Sequence, residues 1–431
     1  MRLLYTILYT LGFVLLSPGF LYKMWKRGKY RENFTQRFGC YSPELRQRLA
    51  AKPGRRAWLQ AVSVGEVNIA LLIIAALRER GLQVVLTTTT STGYALARER
   101  LPADVTLLYF PQDFPAPVRR AYDLIAPDLV VLMESEIWPN HVWEAARRRV
   151  PVFLINARMS PRSARRHAKL GWLFRSVFAN LTLVCAQSAE DAANFRRFGA
   201  PRVELTGNLK YDASLPQPGH QTIDPRQILR DLGVAESRPV LVAGSTHPGE
   251  EDILFDLLKQ MPEVFLVLVP RHVERTPEII ELAKRKGVVM TLRKNGGPVH
   301  SPACLLVNTT GELKSFYRVA TVIFVGKSLV GIGGQNIVEA AASGHPVICG
   351  PNMQNFKAIT AEFLTAGAVV QVQDPYELQH AVRDLGRDEQ LRAKIVTAAQ
   401  AVIARNVGAT QRTIELMIAA QAAHQVPRKK L

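Results

Sequence analysis

A chain of 431 residues, 48% hydrophobic and 21% charged, is too apolar to be disordered and longer than one core usually organises, so two globular domains are expected. Its 55 Lys and Arg against 36 Asp and Glu give a formal net charge of +19, which calls for an anionic partner: nucleic acid, an anionic membrane surface or a phosphorylated substrate. Cys40, Cys185, Cys304 and Cys349 are scattered without paired or metal-ligand spacing, which argues against a disulfide scaffold or a zinc site and fits a reducing compartment.

Residues Leu3 to Leu21 are nearly all apolar, with Arg2 ahead of them and a train of lysines and arginines from Lys23 to Arg56 behind, opposed only by Glu32 and Glu44. About 19 helical residues can just cross a hydrocarbon core, so residues 1–22 are expected to form an N-terminal membrane anchor, with Pro18 and Gly19 as flaws in it. A helix lying on the bilayer is the alternative. The order of charges does not suit a cleaved leader, and it places the bulk of the chain on the cytoplasmic side.

Beyond the anchor, short β-branched runs alternate with longer helical stretches. Strands are expected near Ala57–Val62, Gln83–Thr89, Val105–Leu108, Leu129–Met133, Val152–Ile155, Leu181–Cys185 and Val203–Leu205. This is the pattern of βαβ units on a parallel sheet, here over residues 23–212. The segment 213–238, rich in Pro, Ser and Gly, reads as a linker. Alternation restarts over 239–425, with strands near Val240–Ala243, Val264–Val269, Val289–Thr291, Cys304–Val307, Val322–Val325, Val347–Cys349 and Ala368–Val372. Helices follow from Pro375 to about Gln425, then a basic tail, 426–431. The expected fold class is α/β, with two doubly wound parallel-sheet domains facing a cleft and ligands at the carboxyl ends of the strands.

The unusual residues lie in those strand-to-helix turns. Glu66, in Ala61-Val62-Ser63-Val64-Gly65-Glu66, is either a first-turn charge partner for its helix or a catalytic base, the helix dipole lowering its pKa and burial raising it. Glu134 and Glu136 follow another strand end and share one side if the chain stays extended. Lys210 is a candidate anion partner or a solvated lysine. Gly244–Glu251 reads as a helix-start anion cradle, Arg271 as an anion clamp, and Gly311-Glu312-Leu313 as another helix start. In Gly331–Glu339, Gly333 and Gly334 permit close backbone approach to a phosphate and Glu339 is placed to accept from sugar hydroxyls; a tight turn needing glycine only for geometry is the plain alternative. Gly326-Lys327-Ser328 lacks the upstream glycine of a P-loop, since Thr321 stands there, and Asn336 interrupts a dinucleotide fingerprint.

The motifs AVSVGE, MESEIWPN, INARMS, GNLKYD, GSTH, PRH, GELKSFYRVA and GGQNIVEAA, in this order, resemble those of the 3-deoxy-D-manno-octulosonic acid (Kdo) transferases of lipopolysaccharide assembly. The resemblance covers almost the whole chain and implies a GT-B fold. It implies inverting transfer of Kdo from CMP-Kdo to a lipid A precursor at the inner face of the cell inner membrane. Carried over, Glu66 is the general base, Glu136 and Lys210 stabilise the transition state, and CMP is held by Pro270, Arg271, Gly311, Glu312, Leu313, Asn336, Ile337, Val338 and Glu339. No Asp-x-Asp pair occurs, so a reaction without metal or other cofactor is implied. Gln335, Ile337 and Lys327 depart from the family's commonest His, Pro and Gly. The expected partners are CMP-Kdo, the lipid acceptor and an anionic membrane surface, not nucleic acid. The rival readings are another membrane-associated GT-B nucleotide-sugar enzyme and a basic nucleic-acid-binding protein, the latter disfavoured because the densest basic cluster adjoins the apolar segment.

Overall fold

The computed structural model describes residues 1–27, 33–169, 171–215, 223–296 and 299–425; part of the expected linker and the basic tail 426–431 lie outside these. The chain forms two compact units, Met1–Ala213 with Gly408–Leu431, and Ser214–Val407.

The first unit holds a seven-stranded sheet of β1 (Arg56–Ala61), β2 (Gln83–Thr88), β3 (Thr106–Tyr109), β4 (Leu129–Met133), β5 (Val152–Ala157), β6 (Leu183–Ala186) and β7 (Val203–Leu205), in the order β3-β2-β1-β4-β5-β6-β7. All its pairings are parallel. β1 is buried along its length, and its side chains alternate between two cores: Trp58 packs with Tyr122, Leu132 and Phe178, while Ala57, Leu59 and Ala61 pack with Ile73, Val131 and Ile155. Apolar residues on both faces are what a helix-covered parallel sheet requires.

The second unit repeats the plan with β8 (Val240–Thr246), β9 (Phe265–Pro270), β10 (Met290–Leu292), β11 (Cys304–Leu306), β12 (Val322–Val325), β13 (Val347–Cys349) and β14 (Val370–Gln371), in the order β10-β11-β9-β8-β12-β13-β14, again all parallel. Every expected strand is present; β8 runs on to Thr246 and β14 shortens to two residues. In both sheets the winding reverses beside the first strand, between β1 and β4 and between β8 and β12, and such switch points are where doubly wound sheets take ligands.

Two expectations about the chain ends are corrected. The last helix, Ala409–Gln425, was expected in the second domain but belongs to the first unit. Its Ala409, Ile414, Met417 and Ala420 enter the core beside Leu59 and Val131. Asp212 fastens its start by accepting from the amides of Gly408 (2.8 Å) and Thr410 (2.6 Å), a carboxylate at the positive end of a helix. The N-terminal helix, α1 (Arg2–Arg27), continues past residue 22, and its stretch Arg2–Gly19 is long and apolar enough to cross a membrane.

Candidate active site

In the first unit the switch point brings three carboxylates and two cations together. Glu66 sits in the first turn of the Val64–Glu79 helix, after β1, and is only 7% exposed. Its carboxylate turns back on the strand end, Oε2 accepting from the Val62 amide (2.9 Å) and Oε1 from the Ser63 hydroxyl (3.1 Å). Burial raises its pKa to about 7, helped by the negative charges of Glu134 and Glu136 and opposed by the two hydrogen bonds. Of the two opposing influences named for this position, burial wins over the helix start.

After β4 the chain does not stay extended. Glu134 adopts φ 52°, a left-handed conformation that costs a non-glycine residue roughly 1 kcal/mol and so must be held by its surroundings. It is held by its amide donating to the Ile155 carbonyl (3.0 Å) and by its side chain. Oε2 accepts from Arg158 Nε (2.7 Å) and Oε1 meets Lys210 Nζ at 2.8 Å. Burial alone would raise the Glu134 pKa, but the two cations outweigh it and hold the carboxyl below its ordinary value. Glu136, two residues on, accepts from Trp138 Nε1 (3.1 Å), and burial lifts its pKa. The buried Gln60 side chain beside it acts in the opposite direction, as does Trp138.

Glu66, Glu136 and Lys210 thus lie in one group, and Lys210 pairs with Glu134 in it. Arg158 and Gln60 had been given no role from sequence, and Glu134 only a place beside Glu136 after the strand end. For Arg158 the signal was available, since INARMS runs out of the end of β5 at the neighbouring strand end. Gln60 looked like one more strand residue.

In the second unit the equivalent turns are tied to each other. The expected cradle at Gly244–Glu251 is filled by the chain's own carboxylate: buried Glu250 accepts from the amides of His247 (3.0 Å), Lys327 (2.7 Å), Ser328 (3.0 Å) and Leu329 (3.1 Å). It therefore bridges the loop after β8 to the loop after β12. Glu251 is buried too, with Thr246 Oγ1 at 2.9 Å and Arg275 Nη1 at 2.7 Å. Gly333 (φ 116°) and Gly334 (φ 69°) take left-handed conformations that a side chain would strain, so both favour glycine for the turn itself.

Several residues expected around CMP are already engaged. The Gly333 amide donates to Gln354 (2.8 Å), and the Val338 amide to Asn336 Oδ1 (3.1 Å), while Asn336 Nδ2 donates to Ser214 (2.7 Å). Ile337 and Val338 are fully buried and can offer a ligand no side chain. Glu312 accepts from Arg293 (3.1 Å) and Thr309 (2.8 Å), beside Gly311 (φ 85°) and at the start of the five-residue helix Leu313–Tyr317. Glu339 is half-buried, 3.8 Å from Lys314 Nζ. The helix it lies on, Ile337–Ala341, has five residues, too few for a large dipole. What stays open is the exposed Arg271 guanidinium, which has no partner among the described residues, just past Pro270 at the end of β9. Its amide is anchored on the Thr246 carbonyl (3.1 Å).

Two parallel doubly wound units, with ionisable groups at one switch point and a glycine loop at the other, define the GT-B fold of nucleotide-sugar enzymes. The fold is shared with the UDP-GlcNAc 2-epimerase from Neisseria meningitidis bound to UDP-GlcNAc, at a TM-score of 0.57 and 14% identity over 84% of this chain and all of that one. It is shared as well with Anabaena Alr3699/HepE in complex with UDP (TM-score 0.55, 16% identity, 86% and 100% covered). A family model described as 3-deoxy-D-manno-octulosonic-acid transferase (kdotransferase) matches residues 32–213. The 3-deoxy-D-manno-octulosonic acid transferase of Bordetella pertussis is 33% identical, covering 95% of this chain and 98% of its own. That of Haemophilus influenzae is 31% identical over 91% and 92%. The chain belongs to the Kdo transferases.

Proposed function

We propose that this Kdo transferase moves Kdo from CMP-Kdo to a hydroxyl of a lipid A precursor of the lipid IVA type in lipopolysaccharide biosynthesis, with Glu66 as general base and no metal or cofactor. The observation that carries the reading is Glu66 itself: a buried, hydrogen-bonded carboxylate whose pKa of about 7 matches that of an efficient base at neutral pH. The acceptor oxygen forms a bond to the anomeric carbon as its proton passes to Glu66. The bond from that carbon to the phosphate oxygen breaks with its electron pair, CMP leaves, and a single displacement inverts the centre.

Lys210 and Arg158 keep Glu134 ionised, and its fixed negative charge helps hold Glu66 basic. Glu136, whose pKa burial raises, is placed to hydrogen-bond the acceptor or sugar. On the donor side, Arg271 is the open cation for the CMP phosphate, Glu339 the acceptor for ribose hydroxyls, and the amides opening the Ile337–Ala341 helix are further donors. The Pro270, Gly311, Glu312, Leu313, Asn336 and Val338 backbone then shapes the pocket and leaves little of the binding to their side chains. The first unit is the acceptor side, the second the donor side, and α1 holds both at the cytoplasmic face of the inner membrane.

The test is mass spectrometry of lipid IVA incubated with purified protein and freshly generated CMP-Kdo. Added Kdo with wild type and none with Glu66→Gln, while CMP binding persists in the variant, is the expected result. Undiminished transfer by Glu66→Gln would remove it as base, and transfer from a UDP-sugar but not CMP-Kdo would overturn the donor.

A further inference from the structure

α1 divides lengthwise. One stripe, at positions 2, 5, 9 and 13, lies against the first unit. Arg2 Nη2 is 3.2 Å from Glu144 Oε2, the Tyr5 hydroxyl donates to Asp113 (2.7 Å), the Tyr9 hydroxyl donates to Gln112 (2.9 Å), and Phe13 packs edge-on against Phe38 and Phe114. Tyr5 also meets the edge of Trp143. The acceptors belong to the domain interior: the Glu144 side chain is fully buried and Asp113 is 1% exposed. The other stripe, Leu3, Leu4, Ile7, Leu8, Leu11, Val14, Leu15 and Leu16, stands exposed among the described residues. Spacing of three and four residues on both stripes follows the helical period.

A helix spanning the bilayer along Arg2–Gly19 would have to leave the first unit. It would carry Arg2 to the far side and strip Glu144 of one cation and Asp113 of the Tyr5 hydroxyl. Buried acidic groups would lose their partners in such a step, and removing one partner of a buried pair is strongly destabilising. The helix as docked satisfies them and turns its leucines outward instead. Beside its first turn, an open cavity of about 560 Å³ is lined by Arg2, Arg119 and Arg147 with Leu3, Thr6 and Pro115, and Glu144 is the one carboxylate there among the described residues. Three arginines face one glutamate there, so the rim carries a positive charge next to the apolar stripe.

We infer that α1 does not span the membrane but lies in the surface of an anionic phospholipid bilayer, its outward leucines in the acyl boundary and the Arg2/Arg119/Arg147 rim against headgroup phosphates. An apolar stripe edged by cations is the composition of an interfacial helix, and each cation near an anionic surface adds to binding. The basic train from Lys23 continues the same sign along the chain. This attachment is independent of which sugar is transferred. It presents the first unit flat to the layer in which a lipid acceptor resides.

The experiment uses the full chain with Cys40→Ser, since Cys40 is the exposed cysteine and the other three are buried. Single replacements Leu4→Cys, Leu8→Cys, Leu11→Cys and Leu15→Cys carry a spin label, and oxygen and nickel-chelate accessibilities give depth in phosphatidylethanolamine–phosphatidylglycerol vesicles. All four labels at one shallow depth, roughly 5–10 Å below the headgroups, is the expected result. A depth that reaches the bilayer centre at Leu8 or Leu11 and returns toward the surface at Leu4 and Leu15 would overturn it, as would failure of the protein to bind the vesicles. In the same assay Arg119→Ala and Arg147→Ala each weaken binding about fivefold with phosphatidylglycerol and little with phosphatidylcholine alone. Equal binding to both vesicles by wild type and variants would remove the headgroup rim.

Discussion

At the β1/β4 switch point of the first unit, carboxylates meet each other and two cations, and the environment sets each one's charge: Glu134 ionised, Glu66 and Glu136 pushed toward the proton. At the β8/β12 switch point of the second unit, the corresponding carboxylates are spent on structure, Glu250 on four backbone amides and Glu251 on Thr246 and Arg275. The same winding of strands therefore yields a site of tuned side-chain charge in one unit and a braced backbone loop in the other. Proton transfer needs the first, because a base works best with a pKa near the working pH. On the proposed mechanism a leaving phosphate would draw on the second, because donors fixed in advance require no reorganisation as charge develops.

The comparison breaks most directly at Glu66. Glu66→Gln should lower kcat for Kdo transfer by about 10²- to 10⁴-fold with CMP affinity unchanged, read by single-turnover kinetics and calorimetry. Next comes Lys210→Met, which leaves Glu134 buried with Arg158 alone. We expect a loss of about 3 kcal/mol of first-unit stability, the low end for breaking a buried pair. All five tryptophans lie in the first unit, so tryptophan fluorescence in urea reports on it selectively, and adding Glu134→Gln should restore part of the loss.

In the second unit, Glu250→Gln should cost CMP affinity about thirtyfold through loosening of the Lys327–Leu329 turn, since hydrogen bonds to a charged group contribute ~1.5–3 kcal/mol each. First-unit unfolding should not move. Arg271→Ala should raise the donor KM roughly tenfold with little change in kcat if the guanidinium binds ground and transition states alike.

The smallest effect is on pH. In wild type kcat/KM should rise with pH and level off above about 7 as Glu66 ionises, and Glu134→Gln, by removing a neighbouring negative charge, should move that limb to lower pH. Stability carries the opposite slope. With its folded pKa raised above the unfolded value, Glu66 binds its proton more tightly in the native state, so this contribution is present at low pH and is lost as pH rises from about 4.5 to about 7. Glu66→Gln should flatten that part of the stability profile.

The sequence by itself determined the fourteen strands, their parallel winding and the turns that carry chemistry. These are set locally, by β-branched apolar runs that alternate with helical periods and by glycine or acidic residues at strand ends. Glu66 was visible for this reason, and so was the Gly331–Glu339 loop. Only the tertiary structure decided which charges meet. Lys210 meets Glu134, which turns left-handed between two strand ends, a conformation that no spacing announces. The expected anion cradle at Gly244–Glu251 became a brace because Lys327, 77 residues beyond Glu250, returns beside it. The Ala409–Gln425 helix joined the first unit because its apolar face finds the core around Leu59 and Val131 and Asp212 caps its start. Burial and ion pairing depend on groups distant in the chain, and it is these, more than local pattern, that gave each carboxylate its charge.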